Sequence, residues 1–196
     1  MAQIAPSAAQ RRLLELHLDE LERWNLRMNL TAVPRQRAWE KHVVEALALL
    51  AAAGPVTGAR CADLGSGGGI PGVALAILRP DLSMTLVESD RRKAGFLVHV
   101  AGLLDLPNID VVARRAEEMA REPGHRAAYD VVVSRAAAEP VQLVEISMPL
   151  LWIGGVLWAL VTDAPAAVDR LAGAPRVRAW VAGPGVLAVE KLGTRD

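Results

Sequence analysis

The sequence predicts an α/β protein: a mostly parallel sheet of seven strands, the last antiparallel, covered by helices, with two more helices ahead of it. Three observations carry this. From residue 60 onward, short apolar β-rich runs alternate with helical runs. A glycine-rich bend, Ala62-Asp63-Leu64-Gly65-Ser66-Gly67-Gly68-Gly69-Ile70-Pro71-Gly72, joins the first strand to the helix after it. Two closing runs, 176–181 and 186–191, flank Gly183-Pro184-Gly185 and read as antiparallel strands. Repeated strand–helix units put parallel strands side by side and bury both faces of the sheet.

The elements follow in order. In residues 8–29, Leu14, Leu18, Leu21, Trp24 and Met28 recur at spacings of three and four with charged residues between, which is helical. A second helix is expected over 37–53, ending before Gly54-Pro55. Strands are expected over 60–64, 83–87, 109–112, 129–133 and 156–161. Helices are expected over 71–78, 91–104, 117–121, from the strand end at Ser134 to Met148 ahead of Pro149, and over 164–171. The length suits one domain, 1–196, divided into a helical cap over 1–55 and a core over 56–196.

Composition narrows the class. Hydrophobic residues make up 52% of the chain, enough for a packed core. No apolar run has the length of a membrane span, and no signal peptide is visible, so a cytoplasmic protein is expected. Cys61 is the one cysteine, which excludes an internal disulfide, and in an apolar strand it reads as a small core residue. Four scattered histidines give no metal-ligand spacing. With 22 basic and 22 acidic residues the formal charge is +0, against a strong nucleic-acid binder, although Arg91-Arg92-Lys93 and Arg114-Arg115 cluster locally.

The glycine bend is where chemistry is expected. Residues without a Cβ let the backbone turn sharply and approach a ligand, and Pro71 suits the first turn of a helix. Ligands of such sheets lie beyond the carboxyl ends of the strands, near the topological switch point. Two ligand classes fit. Gly67, Gly69 and Gly72 satisfy the G-x-G-x-x-G spacing of a dinucleotide site. Asp63 at the strand end would repel a pyrophosphate and attract the amino and sulfonium groups of S-adenosylmethionine. A tight turn capped by Asp63 is the bland reading, made less favourable by five glycines in eight residues.

The later strand ends add candidates. Glu88 closes the second strand about 20 residues beyond the glycines, the interval at which an acidic residue binds ribose hydroxyls. Asp90 reads as the cap of the following helix. Ala116 and Glu117, after the third strand, either read an adenine edge or simply open a helix whose dipole Glu117 complements. The fourth strand ends in Val133-Ser134-Arg135-Ala136, and Arg135 faces either the site or a surface ion pair. The Asn/Asp-Pro-Pro-aromatic signature of exocyclic-amine methyltransferases is missing at that point.

Taken in order, Trp24-Asn25, Asn29-Leu30-Thr31-Ala32-Val33, Lys41-His42, the bend 63–72, Arg92-Lys93 with Phe96-Leu97, Arg115-Ala116-Glu117 and Ser134-Arg135-Ala136 resemble the RsmG (GidB) family of 16S ribosomal RNA guanine-N7 methyltransferases over residues 20–160. The resemblance implies a Rossmann-like class I S-adenosylmethionine-dependent methyltransferase fold. It implies cofactor contacts from Gly65, Ile70, Glu88, Ser89, Asp90, Ala116, Glu117 and Arg135, to which the reading of the bend adds Asp63 and Gly67. It implies that Asn29, Thr31, His42 and Arg115 lie at the RNA-facing mouth. His42 on a helix is equally readable as a core histidine, and Asn29 as a brace for the turn after the first helix. The expected partner is 16S ribosomal RNA or the 30S subunit, with no metal and a monomeric protein.

Two departures stand out. Glu45-Ala46 replaces the family's usual Asp-Ser pair, and Trp158-Ala159-Leu160-Val161-Thr162 lacks the Lys-Gly that usually ends the fifth strand. Guanine N7 carries a lone pair and no proton, so its methylation needs orientation rather than a general base. No acid–base residue is therefore assigned, and Arg135 is a positioning residue. Other functions compatible with the sequence are a noncatalytic ribosome-associated binder of the same cofactor, a small-molecule methyltransferase and, against Asp63, an NAD-dependent oxidoreductase.

Overall fold

The computed structural model describes residues 5–54, 57–135 and 138–193. One sheet of seven strands runs in the order β3-β2-β1-β4-β5-β7-β6. Its strands are β1 (Arg60–Leu64), β2 (Ser83–Val87), β3 (Ile109–Val112), β4 (Tyr129–Arg135), β5 (Leu151–Leu160), β6 (Val177–Gly183) and β7 (Val186–Lys191). Pairing is parallel from β3 through β5, and β7 is antiparallel to both β5 and β6. The chain builds outward from β1 to β3, then returns to lay β4 on the other side of β1. The switch point lies between β1 and β4, where Leu64 faces Ser134.

The first helix, α1 (Ala8–Met28), starts at a reciprocal cap in which Ser7 Oγ accepts from the Gln10 amide and Gln10 Oε1 accepts from the Ser7 amide. The Gln10 side chain then donates to the carbonyls of Ile77 and Leu78, at the end of α4 (Gly72–Leu78). Leu14, Leu18 and Leu21 are buried in the same apolar cluster as Val73, Ile77, Met84 and Leu86. The leading helices thus share a core with one face of the sheet. The opposite face is covered by α6 (Ala116–Met119), α7 (Pro140–Ser147) and α8 (Ala164–Arg170), around Val132, Leu143, Leu157 and Leu187.

Boundaries differ from expectation in several places: β4 runs on to Arg135, the helix expected from Ser134 begins only at Pro140, and β6 reaches Gly183. The expected helix over 37–53 begins at Arg35, after Pro34, and runs as α2 (Arg35–Ala38), a π-helical turn (Trp39–Val43) and α3 (Val44–Ala53). A π turn carries one extra residue, which periodicity does not reveal, and such turns recur at functional sites. Pro71 stands at the cap position just before α4 rather than in its first turn, and the free amide at the helix start, Gly72 N–H, is taken by Asp63 Oδ2 at 3.0 Å. Strand β5 starts at Leu151 instead of 156, and its pairing with β4 shifts register between Tyr129 and Val131. Gly154 and Gly155 hide this in the sequence. A Cβ on Gly155 would lie 3.0 Å from the Tyr129 carbonyl, so the irregular ladder admits glycine there.

Candidate active site

The glycine bend is built on the end of β1 and braced from three sides. From β2, the Val87 carbonyl accepts the amides of Gly65 and Ser66 at 2.9 and 3.1 Å. From below, Asp63 is fully buried and holds Gly72 N–H, and burial pushes its carboxyl up to about 7 against that hydrogen bond. Its Oδ1 has no partner among the described residues. From α1, His17 Nε2 meets the Gly68 carbonyl at 2.9 Å. Carbonyls only accept, so Nε2 carries the proton, and burial lowers the ring's pKa to about 4. A Cβ on Gly68 would come within 2.5 Å of Leu21 Cδ1, whereas one on Gly67 would meet only the Gly65 carbonyl, at 3.8 Å. The bend is therefore packed tight on its protein side and open over Gly67.

Glu88, buried at the end of β2, clasps the bend to the next loop. Its Oε2 accepts from Gly67 N–H at 3.0 Å and its Oε1 from Asp90 N–H at 2.8 Å. Each carboxylate oxygen has a second acceptor direction for a hydroxyl. Ser89 and Asp90 are exposed beside it. Asp90 Oδ1 caps α5 (Arg91–Leu103) by accepting from the Arg92 and Lys93 amides, which hold its carboxyl below the usual range. Ile70 is buried within the bend. Ala116 is half-buried and Glu117 exposed, both at the start of α6.

A second cluster stands on the β4 side. Arg135, at the end of β4, donates to His42 Nδ1 at 2.9 Å. A guanidinium has no acceptor, so His42 carries its proton on Nε2, which lies 3.2 Å from Thr31 Oγ1. Burial, then the charge of Arg135, lowers His42 to about 4, so the ring is neutral at pH 7. Thr31 Oγ1 also accepts from Val33 N–H at 3.0 Å, and the Thr31 backbone is held on both sides by the Asn25 amide, at 2.8 and 2.9 Å.

The structure regroups the candidates. Thr31 and His42 join Arg135 rather than Arg115. Arg115 is exposed at the end of β3, with β2 and β1 between it and β4. Asn29 is exposed with φ 49° and ends α1, while the brace of the turn is Asn25. Asp63 is fully buried and accepts from Gly72 N–H. Sequence reasoning gave no role to His17 or Asn25. Both carried a signal: His17 shares a helical face with Leu14 and Leu21, and Asn25 precedes the Asn-Leu-Thr run. Ala136, part of the Ser-Arg-Ala run, lies outside the described residues.

Among the described residues, no group of three His, Cys, Asp or Glu stands where it could hold a metal ion, and no helix is long and apolar enough to cross a membrane. Burial raises the Cys61 thiol to about 12, which makes it an inert core residue.

A parallel sheet in this order, closed by an antiparallel β7 and carrying a glycine bend clasped by an acidic residue from β2, defines a Rossmann-like class I methyltransferase fold. A methyltransferase from Geobacter sulfurreducens shares this fold at a TM-score of 0.61 and 14% identity, over 91% of this chain and 89% of that one. The chain belongs to the GidB family, rRNA small subunit methyltransferase G, whose model it matches over residues 10–167. It is 47% identical over 137 residues to ribosomal RNA small subunit methyltransferase G of Roseiflexus castenholzii, covering 69% of this chain and 58% of that one. It is 40% identical over 172 residues to the protein of that name from Symbiobacterium thermophilum, covering 81% of this chain and 70% of that one.

Proposed function

We propose that this protein, acting as a single domain, transfers a methyl group from S-adenosylmethionine to N7 of a guanine in 16S ribosomal RNA. The observation that carries the reading is the Glu88-clasped bend, open over Gly67, in a member of the rRNA small subunit methyltransferase G family. The residues fit the cofactor. The open face over Gly65 and Gly67 admits its backbone-hugging part, and Glu88 keeps acceptor directions for ribose hydroxyls. Ser89 and Asp90 after β2, and Ala116 and Glu117 after β3, are assigned to the adenine side, Asp63 supports the bend through Gly72 N–H and Ile70 is buried within it, and Arg135 is assigned to the methyl-transfer side at the end of β4.

When bound, S-adenosylmethionine supplies an electrophilic methyl group on a cationic sulfur. The protein's task is alignment. Guanine N7 attacks with an in-plane lone pair and loses no proton, so no general base is required. His42 suits that chemistry: it is neutral, with both ring nitrogens engaged, and holds Arg135 instead of exchanging protons. Arg135 orients the acceptor and the cofactor at the β1–β4 switch point. Mapping 7-methylguanosine in ribosomal RNA from cells with and without the protein tests the reading. Loss of one N7 mark in its absence is the expected result; identical maps refute it.

A further inference from the structure

A cleft of about 880 Å³ opens over the ends of β4 and β5 and includes Arg135 in its lining. Lys41, Glu45 and Arg135 line one wall and Thr162, Pro184 and Gly185 the other. Three carboxylates reach this cleft, and two are engaged. Asp163 caps α8 through the Ala166 amide at 3.0 Å, and Glu139 accepts from Arg170 at 2.9 Å. Glu45 differs. Its nearest cation is Arg135, at 3.7 Å, too far for a hydrogen bond, and that same guanidinium nitrogen is already given to His42. Among the described residues Glu45 accepts no hydrogen bond, although its side chain is one-third exposed. It stands in the first turn of α3, directly after the π turn that carries His42 inward. Glu45 is thus a loose ion-pair partner of the positioning arginine with its hydrogen-bond acceptor directions left over.

Guanine has one edge with two adjacent donors, N1–H and the N2 amino group. Its N7 acceptor lies on the other edge, with O6 between N7 and N1–H. A carboxylate can take both donors side by side, whereas adenine and cytosine turn a ring-nitrogen lone pair toward it. Resting on the function proposed above, we propose that Glu45 selects the target guanine by accepting from N1–H and the N2 amino group. A base held in this way presents N7 away from Glu45. Its pairing edge is available to the protein only when the nucleotide has left its pair.

Inosine tests this, because it keeps N7, O6 and N1–H and lacks only the N2 amino group. The substrates are 30S particles reconstituted with 16S RNA carrying guanosine or inosine at the nucleotide identified by methylation mapping. The wild-type protein is expected to prefer guanosine in kcat/KM by about 10- to 100-fold, the worth of one hydrogen bond to a charged group. Glu45→Ala is expected to bring that ratio close to one, with unchanged affinity for S-adenosylmethionine, and Glu45→Gln to give an intermediate ratio. If Glu45 only tethered Arg135, both substrates would slow equally and the ratio would persist, which overturns the proposal. A wild-type ratio near one overturns it as well. A wild-type protein inert on both particles sinks the parent function, and the Glu45 role with it.

Discussion

The hydrogen bond from Arg135 to His42 Nδ1, 2.9 Å long, fixes which nitrogen of the ring bears the proton. Burial is the larger cause of the ring's depressed pKa and the Arg135 charge the smaller. Removing the charge by Arg135→Ala is therefore expected to raise the His42 pKa from about 4 without restoring 6.5. Following the His42 ring protons by NMR against pH checks both values. A wild-type midpoint above pH 6 contradicts the geometry.

Asp63 gives stability an unusual slope. With its carboxyl near 7 in the fold and 3.8 as reference, the folded chain binds the proton more tightly than the unfolded one. Stability from this residue is therefore lost as pH rises through that window. His17 and His42, both lowered from 6.5 to about 4, act oppositely, since the unfolded chain takes the proton first as pH falls. Asp63→Asn keeps an acceptor for Gly72 N–H and removes one slope. Its melting temperature relative to wild type is expected to climb between pH 5 and pH 8, as read by calorimetry; a constant offset refutes the assignment.

Gly68 and Leu21 define a packing limit. An alanine at 68 would bring its Cβ to 2.5 Å from Leu21 Cδ1, which is fully buried. Gly68→Ala is expected to cost about 1–3 kcal/mol by overpacking. Leu21→Ala alone leaves a cavity and costs about 2–5 kcal/mol. Because each change relieves the other, urea unfolding of the double variant should show a loss smaller than the two singles combined.

Glu88 joins two loops through two amides, so its loss loosens the bend itself. Glu88→Ala is expected to weaken S-adenosylmethionine binding by about 10- to 100-fold in calorimetric titration. Glu88→Gln, which retains an acceptor oxygen, should fall between it and wild type. Unchanged affinity in both variants removes Glu88 from the cofactor's binding groups.

Much of this architecture is readable from residue order, for a physical reason. The strands β1, β2 and β7 fall where apolar β-rich runs end in polar or glycine residues, and α5 starts at its Asp90 cap. What escaped the sequence depends on contacts across long separations. His17 meets the Gly68 carbonyl 51 residues away, and Arg135 meets His42 across 93. No local pattern encodes such partners. The π turn and the early start of β5 escaped because each adds a residue or a glycine that breaks a regular period. The separation of Arg115 from Thr31 and His42 follows from strand order, which β4's return past β1 sets.

The grip of α1 on the bend has a practical consequence for protein engineering. A chimaera that kept the sheet and exchanged the amino-terminal helix would have to supply a donor for the Gly68 carbonyl, a side chain shaped to the missing Cβ of that glycine, and an amide reaching the carbonyls of Ile77 and Leu78. Grafts that import the helix and the loop as a matched pair meet all three demands at once.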